Sequence, residues 1–158
     1  MIRVLFVCMG NICRSPTAQG VFERVVQENG LEEALEVDSA GTHGYHVGRP
    51  PDSRAQAAAL ARGIDLGRQR ARQFTAADFS YFDYVMAMDQ ANLQILRAEC
   101  PGELQGRLEL FLSYAPEART LEVPDPYYGG DRGFEQVLDL VEQASQGLVR
   151  GLRERHGL

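Results

Sequence analysis

The chain has 158 residues, and all 16 of its basic side chains other than histidine are arginine. The absence of lysine excludes Schiff-base chemistry and a Walker-type nucleotide loop, because both require a lysine amine. The formal net charge of −6 argues against a general nucleic-acid partner or an anionic-membrane partner.

Length and cysteine content predict one compact domain, residues 1–158. A chain of this length buries enough surface to fold without disulfides or metals. The three cysteines, Cys8, Cys13 and Cys100, are too few for a disulfide scaffold and are typical of a reducing compartment. The apolar start, residues 2–9, is too short for a signal segment or a membrane span. We therefore expect a cytoplasmic location and no membrane partner.

Strand-like and helix-like patterns alternate along the chain. Residues 4–7 are a continuous apolar run, typical of a strand that is buried on both faces. A helix is predicted from Ser15 to about Asn29, with Ser15 as its N-cap, Pro16 at the first helical position and Gly30 at its end. The further predicted elements are a strand at 35–40, a helix at 51–62, a strand at 84–88, a helix at 89–97, a strand at 108–112 and a helix at 133–155.

This alternation favours parallel βαβ crossovers. We predict an α/β fold: a single-domain three-layer sandwich in which helices flank a four-stranded parallel sheet, as in flavodoxin-like proteins. Ligands of such folds bind beyond the carboxyl ends of the strands, near a helix N-terminus. The first strand-to-helix turn, residues 8–15, is therefore the candidate site.

That turn reads Cys-Met-Gly-Asn-Ile-Cys-Arg-Ser from residue 8 to residue 15. The five residues between Cys8 and Arg14 are enough to form a cup of inward N–H groups, and Gly10 and Asn11 readily adopt the positive φ that such a cup needs. A cup beside a helix N-terminus binds a doubly charged oxyanion. Arg14 adds two parallel hydrogen bonds to such an anion.

The positive electrostatic field of the helix N-terminus and of Arg14 favours a thiolate at Cys8, and Ser15 is placed to donate a hydrogen bond to the sulfur. A thiolate beneath a bound phosphate is a nucleophile in line with the phosphorus. In the alternative interpretation, Cys8 is a small buried residue at a strand end and Arg14 is a solvated cap.

A second candidate segment contains Asp125 between two prolines, followed by Tyr127 and Tyr128. The prolines restrict the backbone on both sides of Asp125, and a carboxyl group near aromatic residues can act as general acid toward a leaving oxygen. Taken alone, the segment favours a simple turn. Only the combination of this segment with the loop at residues 8–15 favours a general-acid role for Asp125.

Cys8–Pro16 together with Asp125–Tyr128 resemble the low-molecular-weight protein tyrosine phosphatases. Further segments follow the order of that family, at 38–42, 48–49, 70–73 and 88–89. The resemblance covers essentially the whole chain and implies the small parallel sheet that is expected above.

The resemblance implies hydrolysis of phosphotyrosine in two steps, without metal or cofactor. Cys8 would form a cysteinyl-phosphate, Asp125 would protonate the leaving phenolate and then act as base on water, and Arg14 would hold the phosphoryl oxygens. The implied substrate-binding residues are Met9, Gly10, Asn11, Ile12, Cys13, Ser15, Tyr45, Tyr127 and Tyr128. Asn11, Ser15 and Ser39 would support the loop.

The chain departs from the family at two positions. Tyr45 stands where some members carry tryptophan, and Gln69 stands where the family commonly has a histidine. An amide forms hydrogen bonds but carries no charge, so the sequence leaves the hydrogen bonds around Asn11 open while the expected chemistry stays the same. The family's cysteine at the position of Cys13 forms a reversible disulfide with the nucleophile, and the alternative is a small packed residue. Cys100 is expected to be structural.

Two other functions fit the predicted fold. An arsenate reductase uses a similar anion loop but needs further cysteines, and only Cys100 lies downstream. A non-catalytic phosphate- or flavin-binding module needs neither a nucleophilic thiol nor a general acid.

Other features bear on partners. His43, His46 and His156 lack the spacing of metal ligands.

The basic run at 68–72 resembles a nucleic-acid patch, but in an acidic protein without interleaved aromatic residues we expect a solvated stretch. The expected partners are phosphotyrosine-containing proteins, including a bacterial tyrosine kinase.

Overall fold

The fold is built around a parallel sheet, in a computed structural model that describes residues 1–127 and 132–158. Within these residues the strand order is β2-β1-β3-β4. The strands are β1 (Ile2–Cys8), β2 (Leu35–Gly41), β3 (Tyr84–Ala87) and β4 (Leu108–Leu110). The α-helices are α1 (Arg14–Glu28), α2 (Ser53–Leu60), α3 (Ala77–Tyr81), α4 (Gln90–Glu99) and α5 (Arg132–His156). Short 3-10 turns lie at Gly102–Arg107, Phe111–Tyr114 and Pro116–Ala118.

The central strand β1 contributes to the core on both faces of the sheet. Val4 and Phe6 pack toward α1 and α5, whereas Leu5 and Val7 pack toward α3 and α4. Each of these four side chains is fully buried, as the apolar run at 4–7 predicts. The pairing of β1 with β2 and with β3 is parallel. The predicted three-layer α/β sandwich is confirmed.

Helix α5 covers one face of the sheet with a single apolar stripe. The stripe includes Phe134, Val137, Leu138, Val141, Leu148 and Leu152. Its approach to the 3-10 turn at Phe111–Tyr114 requires glycine, because a Cβ at Gly147 would lie 1.9 Å from the backbone oxygen of Tyr114. Among the described residues no helix is long and apolar enough to cross a membrane.

The predicted start of α1 is wrong. The helix begins at Arg14 and Cys13 is the residue before it, so Ser15 lies inside the first turn and is not the N-cap. The reason is that the Ser15 hydroxyl faces inward, toward Cys8 and the carbonyl of Ala40. Tertiary contacts of the hydroxyl thus replace the local cap that the sequence suggested.

Other helix boundaries are set by aspartate caps. Asp52 accepts a hydrogen bond from Arg54 N and begins α2, and Asp89 accepts one from Asn92 N and begins α4. The predicted last strand is too long, because the chain leaves the sheet after Leu110 and forms a 3-10 turn.

The carboxyl ends of the strands bring the candidate segments together. Thr42 N donates to Cys8 O and His43 N donates to Met9 O, which places the segment after β2 beside the first loop. Val123 N donates to Met88 O, which attaches the Asp125 segment to the end of β3. Both segments therefore lie at the edge of the sheet where ligands bind in this fold class.

We expect Gly147→Ala to destabilise the protein by about 2–3 kcal/mol, as overpacked cores do. The added Cβ displaces a backbone carbonyl, and this cost exceeds the roughly 1 kcal/mol by which alanine favours a helix over glycine. Gly106→Ala is the control, because a Cβ there meets nothing within 4 Å. Urea unfolding measures both variants. Equal stability of Gly147→Ala and wild type would contradict this account of the α5 contact.

Candidate active site

The loop after β1 turns sharply at Asn11, which has a φ of 57°. The predicted positive φ is confirmed at Asn11 but wrong at Gly10, which is not among the positive-φ residues. Gly10 has a different reason to lack a side chain, because a Cβ there would lie 3.0 Å from Cδ2 of His46. Gly41 likewise lets β2 approach the loop, since its Cβ would lie 2.8 Å from Met9 O.

The buried amide of Asn11 fixes the shape of this loop. Its Nδ2 donates to Ser15 Oγ at 2.8 Å and to Ser39 Oγ at 3.0 Å. Its Oδ1 accepts from the backbone N–H of Arg72 at 3.0 Å. Because a backbone N–H can only donate, this third bond determines which way the amide points. The structure thus brings together Asn11, Ser15 and Ser39, as the sequence suggested.

Cys8 lies at the base of the loop and is 3 % exposed. Its Sγ accepts a hydrogen bond from Ser15 N at 3.4 Å and lies 3.0 Å from Ser15 Oγ. Since Ser15 Oγ already accepts from Asn11, its proton is available to the sulfur or to Ala40 O, which is 3.4 Å away. Two donors from one residue therefore face Cys8, and both stabilise a thiolate.

Arg14 is 4 % exposed, so it is not the solvated cap of the alternative interpretation. Its Nη1 donates to Asp89 Oδ2 at 2.6 Å and to Val123 O at 3.2 Å, and its Nη2 lies 3.6 Å from Asp125 Oδ2. Burial alone would lower the pKa of Arg14, but Cys8 and the Asp89 hydrogen bond hold that pKa above its ordinary value. A permanently charged guanidinium thus lies beside the thiol.

Asp89 was missed as a site residue by the sequence analysis. Its only signal was membership of the 88–89 segment that follows the order of the family. Its carboxylate pairs with Arg14 while it also caps α4. It therefore sets the position of the arginine from the end of β3.

Asp125 combines the two interpretations of its segment. Its Oδ1 accepts from Tyr127 N at 3.0 Å, which forms a local turn. Its Oδ2 faces Arg14, and the carboxyl group lines the same pocket as Cys8. The turn is therefore the means by which this carboxyl group reaches the pocket.

The pocket has a volume of about 120 Å³. It is lined by Cys8, Met9, Gly10, Ile12, Cys13, Arg14, Tyr45, His46, Asp125 and Tyr127. Tyr45 is 73 % exposed and stacks on His43 at 5.1 Å, so it stands at the mouth. His46 was not predicted as a lining residue. Tyr128, which was predicted, lies outside the described residues.

Ser39 contacts two uncharged amide side chains, those of Gln19 and Gln69. Ser39 Oγ donates to Gln19 Oε1 at 2.7 Å, and Gln69 Oε1 lies 3.5 Å from the same hydroxyl. Gln69 Nε2 donates to Pro16 O at 2.9 Å, which ties it to the first turn of α1. Gln19, which the sequence analysis missed, therefore receives the Ser39 proton, and uncharged side chains support Asn11 from this side.

The predicted solvated stretch at 68–72 is wrong at Arg72. This side chain is half-buried and forms ion pairs with Asp38 at 3.1 Å and Asp78 at 3.0 Å. These charge-assisted bonds hold the backbone N–H of Arg72 against Asn11. The residue therefore belongs to the support of the loop.

The other two cysteines occupy different parts of the core. Cys13 packs against Ala55 and Phe134, and burial together with the negative charge of Asp52 raises its pKa to about 12. Its sulfur is therefore a protonated thiol at neutral pH. Cys100 packs on the α3–α4 face of the sheet, whereas Cys8 belongs to the α1–α5 face.

The described part of the chain contains no group of three His, Cys, Asp or Glu side chains that is arranged to hold a metal ion. The charged side chains of the pocket lining are instead Arg14 and Asp125, and Asp89 pairs with the same guanidinium from outside that lining. A cysteine, an arginine and a carboxyl group thus converge on one small cavity.

Comparison with known proteins matches the sequence and the fold of the chain to one family. The family model described as "Low molecular weight phosphotyrosine protein phosphatase" matches residues 3–157. A low molecular weight protein-tyrosine-phosphatase of Streptomyces coelicolor is 46% identical over 156 residues, with 97% of this chain and 94% of the relative covered. A crystal structure of a protein tyrosine phosphatase from Entamoeba histolytica with Hepes in its active site has a TM-score of 0.96 and 40% identity, covering 98% of this chain and 99% of that one. YfkJ of Bacillus subtilis has a TM-score of 0.93 and 37% identity, covering 99% and 97%. The chain belongs to the low molecular weight phosphotyrosine protein phosphatase family.

Proposed function

We propose that this enzyme hydrolyses phosphotyrosine and small aryl phosphates through a cysteinyl-phosphate on Cys8. One observation carries the proposal: the sulfur of Cys8, the guanidinium of Arg14 and the carboxyl group of Asp125 line the same pocket, although they come from opposite ends of the chain. A nucleophile, an anion-binding cation and a proton donor are the three groups that such a reaction needs.

The loop binds the phosphoryl group, and the aromatic residues bind the phenyl ring. The backbone of Met9, Gly10, Asn11, Ile12, Cys13 and Ser15 surrounds the phosphate at the N-terminus of α1. This assignment is supported by the positive φ of Asn11 and by the buried charge of Arg14. Tyr45 and Tyr127 line the pocket and form walls of the aryl site. Tyr128 is assigned to substrate binding from the sequence alone.

In the first step, an electron pair of the Cys8 thiolate forms the sulfur–phosphorus bond. The phosphorus–oxygen bond breaks, its electron pair stays on the phenolate oxygen, and Asp125 supplies the proton. Ser15 stabilises the thiolate with its two donors. Arg14 neutralises charge on the equatorial oxygens, where a buried and fixed guanidinium acts more strongly than an exposed one.

In the second step, water attacks the phosphorus of the cysteinyl-phosphate. Asp125, now a carboxylate, accepts a proton from that water while the sulfur–phosphorus bond breaks and the thiolate leaves. The phosphate departs and the enzyme returns to its first state. The amide of Asn11 and the hydroxyl of Ser39 keep the loop in one shape through both steps.

Further assignments complete the proposal. Residues 1–158 form one phosphatase domain in the cytoplasm, and its partners are phosphotyrosine proteins, including a bacterial tyrosine kinase. Cys13 is the candidate partner of Cys8 in a reversible disulfide, which would need an oxidant that accepts two electrons and the two thiol protons. Both thiols are free and buried in this structure.

The competing arsenate-reductase function is disfavoured by the position of Cys100. A resolving cysteine must reach the Cys8 adduct, but Cys100 packs in the core on the opposite face of the sheet. The non-catalytic binding function gives no purpose to the donors that converge on Cys8.

Cys8→Ser tests the nucleophile. With a metal chelator present, we expect wild type to hydrolyse aryl phosphates and Cys8→Ser to lose roughly 10,000-fold or more in turnover, as covalent catalysts do without their nucleophile. The affinity for inorganic phosphate should stay near that of wild type, since the loop and Arg14 remain. Substantial turnover by this mutant would sink the mechanism.

Asp125→Ala tests the general acid. The loss in kcat/KM should approach about 100-fold on phenyl phosphate, within the range of a general acid, and should be small on p-nitrophenyl phosphate, whose leaving group needs little protonation. Asp125→Asn is the matched variant, because its side-chain oxygen can still accept from Tyr127 N. Equal losses on both substrates would remove Asp125 from this role.

A further inference from the structure

Asp52, the cap of α2, contacts the loop at residues 8–15, which is called the phosphate loop below. Asp52 N donates to Ile12 O at 2.8 Å. The Asp52 carboxylate accepts from Arg54 Nε and from Arg54 Nη2, both at 3.1 Å. This two-point pair fixes the plane of the Arg54 guanidinium relative to the loop.

The same guanidinium contacts the segment that carries Asp125. Arg54 Nη2 donates to Tyr127 O at 3.1 Å, and Tyr127 N in turn donates to Asp125 Oδ1 at 3.0 Å. The guanidinium carbon also lies 5.6 Å from the ring centre of Tyr127 and 4.9 Å from that of Phe134. Arg54 thus joins the phosphate loop to the segment of the general acid.

We propose that Arg54 is a positioning residue that holds the Asp125 carboxyl group over Cys8. This inference rests on the proposed function. Tyr127 O and Tyr127 N belong to successive peptide units that meet at the Cα of Tyr127, so the bond from Arg54 to the carbonyl restricts backbone rotation at this residue. With that rotation restricted, the Tyr127 N–H keeps its direction toward Asp125 and orients the carboxyl group. Arg54 therefore acts on protonation of the leaving group through Tyr127, without touching the substrate.

A purely structural role fits the exposure of this residue less well. The Arg54 side chain is 43 % exposed, and exposed ion pairs contribute little to folding stability. Its charge-assisted bond to a backbone carbonyl and its contacts with two rings instead give it directional control. Lysine lacks the planar fork, so it can replace only part of this set of contacts.

The test compares leaving-group dependence across a series of aryl phosphates. For Arg54→Ala we expect kcat/KM to fall about tenfold on phenyl phosphate and about twofold on p-nitrophenyl phosphate. The larger loss is smaller than the roughly 100-fold or larger contribution of a positioned general acid, because Asp125 remains present but is less well oriented. Arg54→Lys should restore part of the loss. Thermal unfolding of each variant shows that the comparison is made between folded proteins.

Arg62→Ala is the matched control. Arg62 also joins the α2 region to α5, through ion pairs with Glu135, Asp139 and Glu142, but these partners lie on α5 and not in the segment that carries Asp125. Its removal should leave the leaving-group dependence at the wild-type value. In an Asp125→Asn background, Arg54→Ala should add almost nothing, because residues that act as one unit are not additive.

The outcomes separate this inference from the proposed function. Suppose that the wild-type enzyme hydrolyses aryl phosphates. An unchanged leaving-group dependence in Arg54→Ala, or an equal loss of kcat/KM on every substrate, would then overturn the role of Arg54 alone. An additional tenfold effect in the Asp125→Asn background would overturn it as well. Failure of wild type to hydrolyse any aryl phosphate would overturn the proposed function and this inference with it.

Discussion

The side-chain amide of Asn11 joins three parts of the chain at the base of the pocket. It donates to Ser15 of α1 and to Ser39 of β2, and it accepts from the backbone N–H of Arg72. Asn11 itself has the left-handed backbone that asparagine tolerates better than most residues. Without this amide, the loop would lose both its shape and the hydrogen bond that leaves the Ser15 proton available to Cys8 or to Ala40 O.

The buried charge of Arg14 depends on this arrangement in turn. A guanidinium that leaves water needs partners, and Asp89, Asp125 and the carbonyl of Val123 supply them. These partners come from the ends of β3 and from the segment before α5. The sheet therefore places one cation at the proposed phosphate site and carboxyl groups where they hold that cation.

The sequence predicted the fold and the site best where reactive residue types lie within a clear local pattern of strand, turn and helix. The apolar run of β1, the stripe of α5 and the Cys8–Arg14 spacing predicted the sheet, its helical cover and the site. The Ser15 cap and the solvated Arg72 were wrong, because contacts distant in sequence determine where those side chains point. Arg54 shares no pattern with Tyr127 in the sequence, so only the folded chain connects them.

The proposed mechanism requires that Cys8 becomes covalently phosphorylated during turnover. Rapid acid quenching of wild type with a phosphorus-labelled aryl phosphate, followed by peptide mapping, detects this intermediate. We expect label on the peptide at Cys8 specifically, and none on Cys13, whose pKa of about 12 keeps it a thiol. Turnover without covalent label, or label on any residue other than Cys8, would overturn the proposed mechanism.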